Sequence, residues 1–170
     1  MPIDHETGLG LIRAIGGADR WLAVLVTTRA GLGSTAARNG MEPSVSVVNA
    51  GVLAHPTTGE SIVAFVARGR TAKLTNLRAD PRATLVFRAG WEWVSVRGPA
   101  ELAGPDDTGL GLDSEALRLL LRDIYAAAGG NHDDLDTYDK AMAADHRTAV
   151  LIRPDRFTTN PTGTEHQEHG

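Results

Sequence analysis

The chain has 170 residues, enough for one domain that buries its core without disulfide or metal staples. Apolar residues at 42% and charged residues at 22% are ordinary globular usage, and no apolar run approaches a membrane span of roughly 18 to 20 residues. The absence of cysteine excludes disulfides, thiolate metal sites and a catalytic thiol, and a net charge of -4 argues against a nucleic-acid partner. Met1 to Ile12 carries His5 and Glu6 where a signal peptide would be basic and then apolar, so a cytoplasmic protein is expected.

Leu9, Leu11, Ile12 and Ile15 form a short helical stripe that Gly16-Gly17 is expected to end. Trp21 to Thr28 is apolar on both parities and reads as a well-buried strand. Arg29 to Pro43, small and polar, reads as a long loop. Ser44 to Asn49 returns to strand, with Val45 and Val47 on one face and Ser44, Ser46 and Val48 on the other. A turn at Thr57 to Glu60 leads into a strand over Ser61 to Ala67, where Ile62, Ala64 and Val66 alternate. Thr71 to Ala79 is a short helix stopped by Asp80-Pro81, because the residue before proline is pushed out of the helical region. Ala83 to Phe87 and Trp91 to Arg97 are strands around a turn at Gly90. Asp113 caps a helix with Leu117, Leu120, Leu121 and Ile124 on one face, stopped by Gly129-Gly130. Asp133, Asp134 and Asp136 open another helix, with Leu135, Tyr138 and Met142 inward. Strands over Ala149 to Ile152 and Arg156 to Thr159 follow, and Pro161 onward lacks any large apolar residue and reads as a disordered tail. About six short strands with helices inserted late predict a mainly β, α+β fold: one antiparallel barrel domain over 1–160 and a tail over 161–170.

Gly31-Leu-Gly33-Ser-Thr-Ala36 matches the letters of the dinucleotide fingerprint G-x-G-x-x-A. Asn39-Gly40 and Pro43 leave no room for the helix that the fingerprint requires, and Glu42 comes too early for its acidic residue, so a flexible hairpin loop is expected. His166 and His169 have no convergent third ligand, and no metal site is expected. Neither a G-x-S-x-G elbow nor an H-E-x-x-H motif occurs.

The segment Ala67-Arg68-Gly69-Arg70-Thr71-Ala72-Lys73 is more informative. A strand ends, Gly69 permits a tight turn, and Thr71 is placed to cap the next helix, whose free amides and positive dipole end face whatever lies before it. Lys73 in the first turn works against that dipole, which makes sense beside an anion. On the residues alone two readings stand: an anion site with Arg68 and Arg70 contributing, or a solvated basic face.

Thr71-x-Lys73-x-x-Asn76-Leu77-x-x-Asp80-Pro81-Arg82 after a strand resembles the signature of the pyridoxamine-phosphate-oxidase-like split β-barrels. The resemblance extends to Trp91-Glu-Trp93-Val-Ser-Val-Arg-Gly98 with Glu101-Leu102, to Tyr138-Asp-Lys-Ala-Met142, and to Arg147 to Pro154, where it is similar to the actinobacterial F420-binding branch. It implies a homodimer with FMN or the deazaflavin coenzyme F420 between subunits. It further implies a phosphate against Thr71, Ala72 and Lys73, and a ring against the Ser44 to Asn49 strand, through Ser46, Val48 and Asn49. Ala67, Arg68 and Asn76 are implied beside the cofactor, and Trp91 and Trp93 either approach it from the partner chain or serve as core packing. The C-terminal residues that hold pyridoxamine phosphate in the oxidase have no counterpart, so that substrate is not expected. The expected activity is F420H2-dependent hydride transfer to a small organic acceptor, with FMN as the alternative cofactor and a non-catalytic F420-binding or storage protein as the competing class. No catalytic acid or base is assigned, since the cofactor supplies the chemistry. No membrane partner is expected.

Overall fold

The computed structural model describes residues 1–30 and 41–160. In chain order the elements are β1 (Pro2–Ile3), α1 (His5–Ala18), β2 (Leu22–Ala30), β3 (Met41–Ala54), β4 (Ser61–Ala67), α2 (Ala72–Ala79), β5 (Arg82–Ala89), β6 (Glu92–Ala103), α3 (Ser114–Ala127), α4 (Leu135–Ala144), β7 (Thr148–Ile152) and β8 (Arg156–Thr159). Every strand pairing is antiparallel. The order β6-β5-β2-β3-β4-β7 closes because β7 pairs back onto β6, which gives a mainly β, six-stranded split barrel with four helices added. β8 lies on the β6 edge and β1 on β8.

Two long strands make this closure possible. β3 pairs with β2 as far as Asn49 and with β4 from Ala50, while β6 pairs with β5 up to Pro99 and with β7 from Ala100. Glycine stands at both changeovers, where another backbone passes. A Cβ on Gly51 would lie 2.3 Å from the Ala127 carbonyl, and one on Gly98 would lie 1.7 Å from the Arg153 oxygen.

Leu25, Phe65, Phe87, Val94, Val96 and Val150 fill the barrel, and α1 adds Leu9, Ile12 and Ile15 to the same core. A second core forms where Leu120, Leu121 and Ile124 of α3 cover Ile62, Ala64 and Leu151. β4 is therefore buried on both faces over Ile62 to Phe65, which overrides the one-sided alternation expected of it.

Other expectations are corrected in the same way. α1 runs through Gly16-Gly17 to Ala18, because Gly16 serves a close approach of the Trp21 ring and does not stop the helix. The expected loop Arg29 to Pro43 is partly strand: Arg29 pairs with Glu42 and Thr28 with Pro43, and the literal G-x-G-x-x-A lies outside the described residues. β2 is buried on one parity only, with Ala23, Leu25 and Thr27 inside and Leu22 and Val24 exposed. Trp91 stands in the β5–β6 turn and not in the strand, and Leu135 is exposed at the start of α4. The expected tail, with His166 and His169, also lies outside the described residues.

Candidate functional site at the β4–α2 corner

α2 is bounded as its sequence dictates, by extended backbone at Thr71 and at Asp80, the residue before Pro81. Arg78 near its end donates to both Asp107 oxygens at 2.8 and 2.7 Å, and the buried Asn76 donates to Thr27 Oγ1 at 3.1 Å. Those two ties fix the helix across the β2 side of the barrel. Lys73 precedes Asn76 by three positions and so shares its helix face. It is half-buried and makes no ion pair among the described residues. The first intrahelical donors are Leu74 and Thr75, both to the Thr71 carbonyl, which leaves the Ala72 and Lys73 amides at the open end.

The Thr71 hydroxyl does not cap the helix. It donates to the Arg68 carbonyl at 3.0 Å and ties the loop back on itself. Arg68 reaches away to Asp145 beyond α4, at 3.1 and 3.2 Å, so its charge is matched. Arg70 between them has a left-handed backbone (φ 58°) and no acidic partner among the described residues. A Cβ on Gly69 would lie 2.6 Å from the His146 oxygen, so the corner passes close to the end of α4.

The residues singled out in the sequence divide by place. Thr71, Ala72 and Lys73 line the corner. Ala67 is beside them in sequence, but its methyl is buried in the core, and Asn76 is committed to Thr27. Ser46 and Val48 project to the barrel side of β3, whereas Asn49 is exposed and donates to the Arg20 carbonyl at 2.9 Å. Trp91 is 76% exposed in the β5–β6 turn.

β3 turns its valines outward. Val45 and Val47 are 63% and 62% exposed, and cross-strand register sets Val47 beside Val24 and Val45 beside Val26. With Leu22 and Met41 they form an apolar sheet face of a kind that marks association surfaces.

The sequence reading missed a cavity of about 670 Å³ beside Asn49 of β3. Trp21, Tyr125 and Tyr138 wall it, and Arg20 and Arg147 reach it. Burial pushes the Tyr138 phenol up to about 12, so it stays protonated and donates to the Leu121 carbonyl at 3.1 Å. Apart from the neighbours Arg20 and Trp21, nothing in the linear order links these five residues, which come from the α1–β2 turn, α3, α4 and the residue before β7.

A family model described as pyridoxamine 5'-phosphate oxidase matches residues 19–160. The chain belongs to that family. The family includes FMN-binding and F420-binding oxidoreductases. Among solved structures, a conserved hypothetical protein of Mycobacterium tuberculosis superposes with a TM-score of 0.58 at 19% identity, covering 93% of this chain and 85% of that one. An F420 reductase of Mycobacterium smegmatis gives 0.51 at 20% identity, over 93% and 98%. An FMN-binding protein of Nostoc punctiforme gives 0.54 at 16%, over 91% and 80%. The chain spans 57% of a protein of unknown function from Agrobacterium tumefaciens (TM-score 0.53, 18% identity, 92% of this chain). At these identities the likeness establishes the shared barrel. Among the described residues no helix is long and apolar enough to cross a membrane.

Proposed function

We propose that this protein is an F420H2-dependent oxidoreductase, holding the deazaflavin between two subunits and passing a hydride to a small organic acceptor. The observation that carries this reading is Lys73: a half-buried cation in the first turn of α2, without an acidic partner among the described residues, beside two open backbone amides. A lysine there is unfavourable for the helix alone and favourable beside a phosphate. The donor set thus fits the cofactor's phosphate, with Arg70 adding charge nearby. Thr71 shapes the loop through its bond to Arg68, and Arg68 acts through its tie to Asp145.

When bound, the reduced deazaflavin supplies the hydride, and the protein supplies position and exclusion of water. Ser46, Val48 and Asn49 stand on the strand proposed to run beside the ring. The outward valines of β2 and β3 are proposed to meet a second copy of the chain, which closes the ring site from the other side. Trp91 then approaches from the partner. The near full-length match to an F420 reductase supports the deazaflavin. FMN is the second reading, because its phosphate makes the same demand on Lys73 and an FMN-binding protein shares the fold.

Titrating the protein with F420 and with FMN, followed by absorbance, tests the choice of cofactor. Turnover of F420H2 with added acceptors separates an enzyme from a cofactor store. Light scattering is expected to give twice the chain mass, and Val47→Asp is expected to give the chain mass with cofactor affinity lost. A parent protein that is monomeric at micromolar concentration, or that binds neither cofactor, overturns the proposal.

A further inference from the structure

We propose that the cavity walled by Trp21, Tyr125 and Tyr138 is a binding site for a flat, conjugated organic carboxylate. Its role as the acceptor site rests on the function proposed above: the bound molecule would gain a hydride from F420H2 and a proton from water, while the cofactor, oxidised by two electrons, returns its own proton to water. The binding itself stands on the cavity alone.

Size comes first. About 670 Å³ lies within the range of small-molecule sites, roughly 300 to 1,000 Å³. The walls are then held rigid around an aromatic slot. The Trp21 ring is wedged between two glycines, since a Cβ on Gly16 would lie 2.7 Å from it and one on Gly129 2.5 Å. Arg20 and Trp21 both adopt left-handed backbone, at φ 54° and 59°, a conformation disfavoured for side chains of this size. Three bonds keep the turn there: Trp21 N to the Gly16 carbonyl at 2.7 Å, Ala50 N to the Trp21 carbonyl at 2.9 Å, and Asn49 Nδ2 to the Arg20 carbonyl at 2.9 Å. Opposite, Tyr125 and Tyr138 pack ring to ring at 4.7 Å. Both hydroxyls are committed to backbone carbonyls, Tyr125 to Asn131 and Tyr138 to Leu121, so these residues offer ring surface to an occupant and not hydroxyl donors.

The charge on the lining is positive. Arg20 is exposed and has no acidic partner among the described residues. Arg147 gives Nη2 to Asp145 at 2.9 Å, a carboxylate it shares with Arg68, but its buried Nε has no hydrogen-bond partner among the described residues. That nitrogen lies beneath the surface, so it is the rest of the Arg147 guanidinium, together with Arg20, that gives the cavity its positive charge. Aromatic walls select a planar body, and two guanidinium groups select an anionic end. Asn49 of β3, on the strand where the ring is proposed to lie, borders the same space.

The test uses full-length, cofactor-free protein and 2-naphthoate, with 2-naphthylmethanol as the neutral match and cyclohexanecarboxylate as the non-planar anion. Binding is measured by calorimetry and by the indole N–H resonances of the three tryptophans, with Trp21 identified by Trp21→Phe. Naphthoate is expected to bind saturably, to bind better than both matches, and to shift the Trp21 resonance. Arg20→Gln, at an exposed position, is expected to weaken binding by about 10-fold or more. Gly129→Ala is expected to weaken it by displacing the indole. No saturable binding, equal affinity for the neutral alcohol, an unmoved Trp21 resonance or unchanged affinity in Arg20→Gln would each overturn the proposal. Cofactor is absent throughout, so failure here leaves the F420 titration untouched, and failure of that titration leaves this result standing.

Discussion

The arginines of α3 and the cations at the start of α2 meet opposite surroundings. Arg118 donates to Asp139 at 2.8 Å and to Glu115 at 2.9 Å, and Arg122 donates to Asp139 at 2.9 Å with Asp136 near by. Every guanidinium there has a carboxylate in hand, and the group serves to join α3 to α4. At the β4–α2 corner, Arg68 alone has such a match, while Lys73 and Arg70 have no acidic partner among the described residues. Matched charges explain themselves structurally. Unmatched charges beside open amides are what the proposed phosphate site rests on. What separates the proposed site from the α3–α4 joint is the pairing of the charge, not its sign or density.

The largest expected effect tests the unmatched side. Lys73→Ala removes a charge-assisted contact worth roughly 1.5 to 3 kcal/mol, and cofactor affinity should fall on the order of 10-fold to 150-fold. Its apo melting temperature should stay level or rise slightly, because a first-turn lysine opposes the helix dipole. Unchanged affinity in a titration with both F420 and FMN would collapse the contrast with α3.

Asp139→Asn tests the matched side and should reverse the signature, lowering the melting temperature by several degrees with cofactor affinity unchanged. The Arg122 hydrogen bond, reinforced by Arg118 against the opposing effect of burial, holds the Asp139 carboxyl below the usual carboxylate range. A group depressed on folding stabilises fully above its unfolded value of about 4, and that stability is lost as pH falls through the lower folded value. Parent and Asp139→Asn should therefore differ most near neutrality and converge in acid unfolding curves below about pH 4. A gap that persists into acid would mean that packing, not charge, joins the two helices.

Thr71→Ala sharpens the corner itself. With no cap bond to lose, only the hydroxyl bond to Arg68 goes, and stability should drop by about 0.5 to 1.5 kcal/mol in thermal melts. Arg68→Ala is the intermediate case, matched yet adjacent to the site. Its side chain is 64% exposed, so removing the pair with Asp145 should leave the melting temperature nearly unchanged. Affinity for the cofactor should fall less than in Lys73→Ala. An equal or larger loss would make Arg68 the phosphate ligand and Lys73 the bystander.

Signals between chain neighbours were legible without the fold. Asp113 accepts from the Ala116 amide and starts α3, Gly90 turns β5 into β6 at φ +60°, and Asp80-Pro81 ends α2, all set by short-range sterics and capping. The sequence by itself therefore determined the capped start of α3, the turn at Gly90, the end of α2 and the position of Lys73 in its first turn. Tertiary structure alone decided which strand faces stay exposed: the alternation in β3 puts Val45 and Val47 on one face without saying that this face looks outward. It also decided which cations are spoken for, because Arg68 meets Asp145 across 77 positions and Arg78 meets Asp107 across 29. The cavity between Trp21 and Tyr138 belongs to the same class. Periodicity and capping act over a few residues, whereas charge pairing, burial and cavity walls depend on which distant segments the closed barrel brings together.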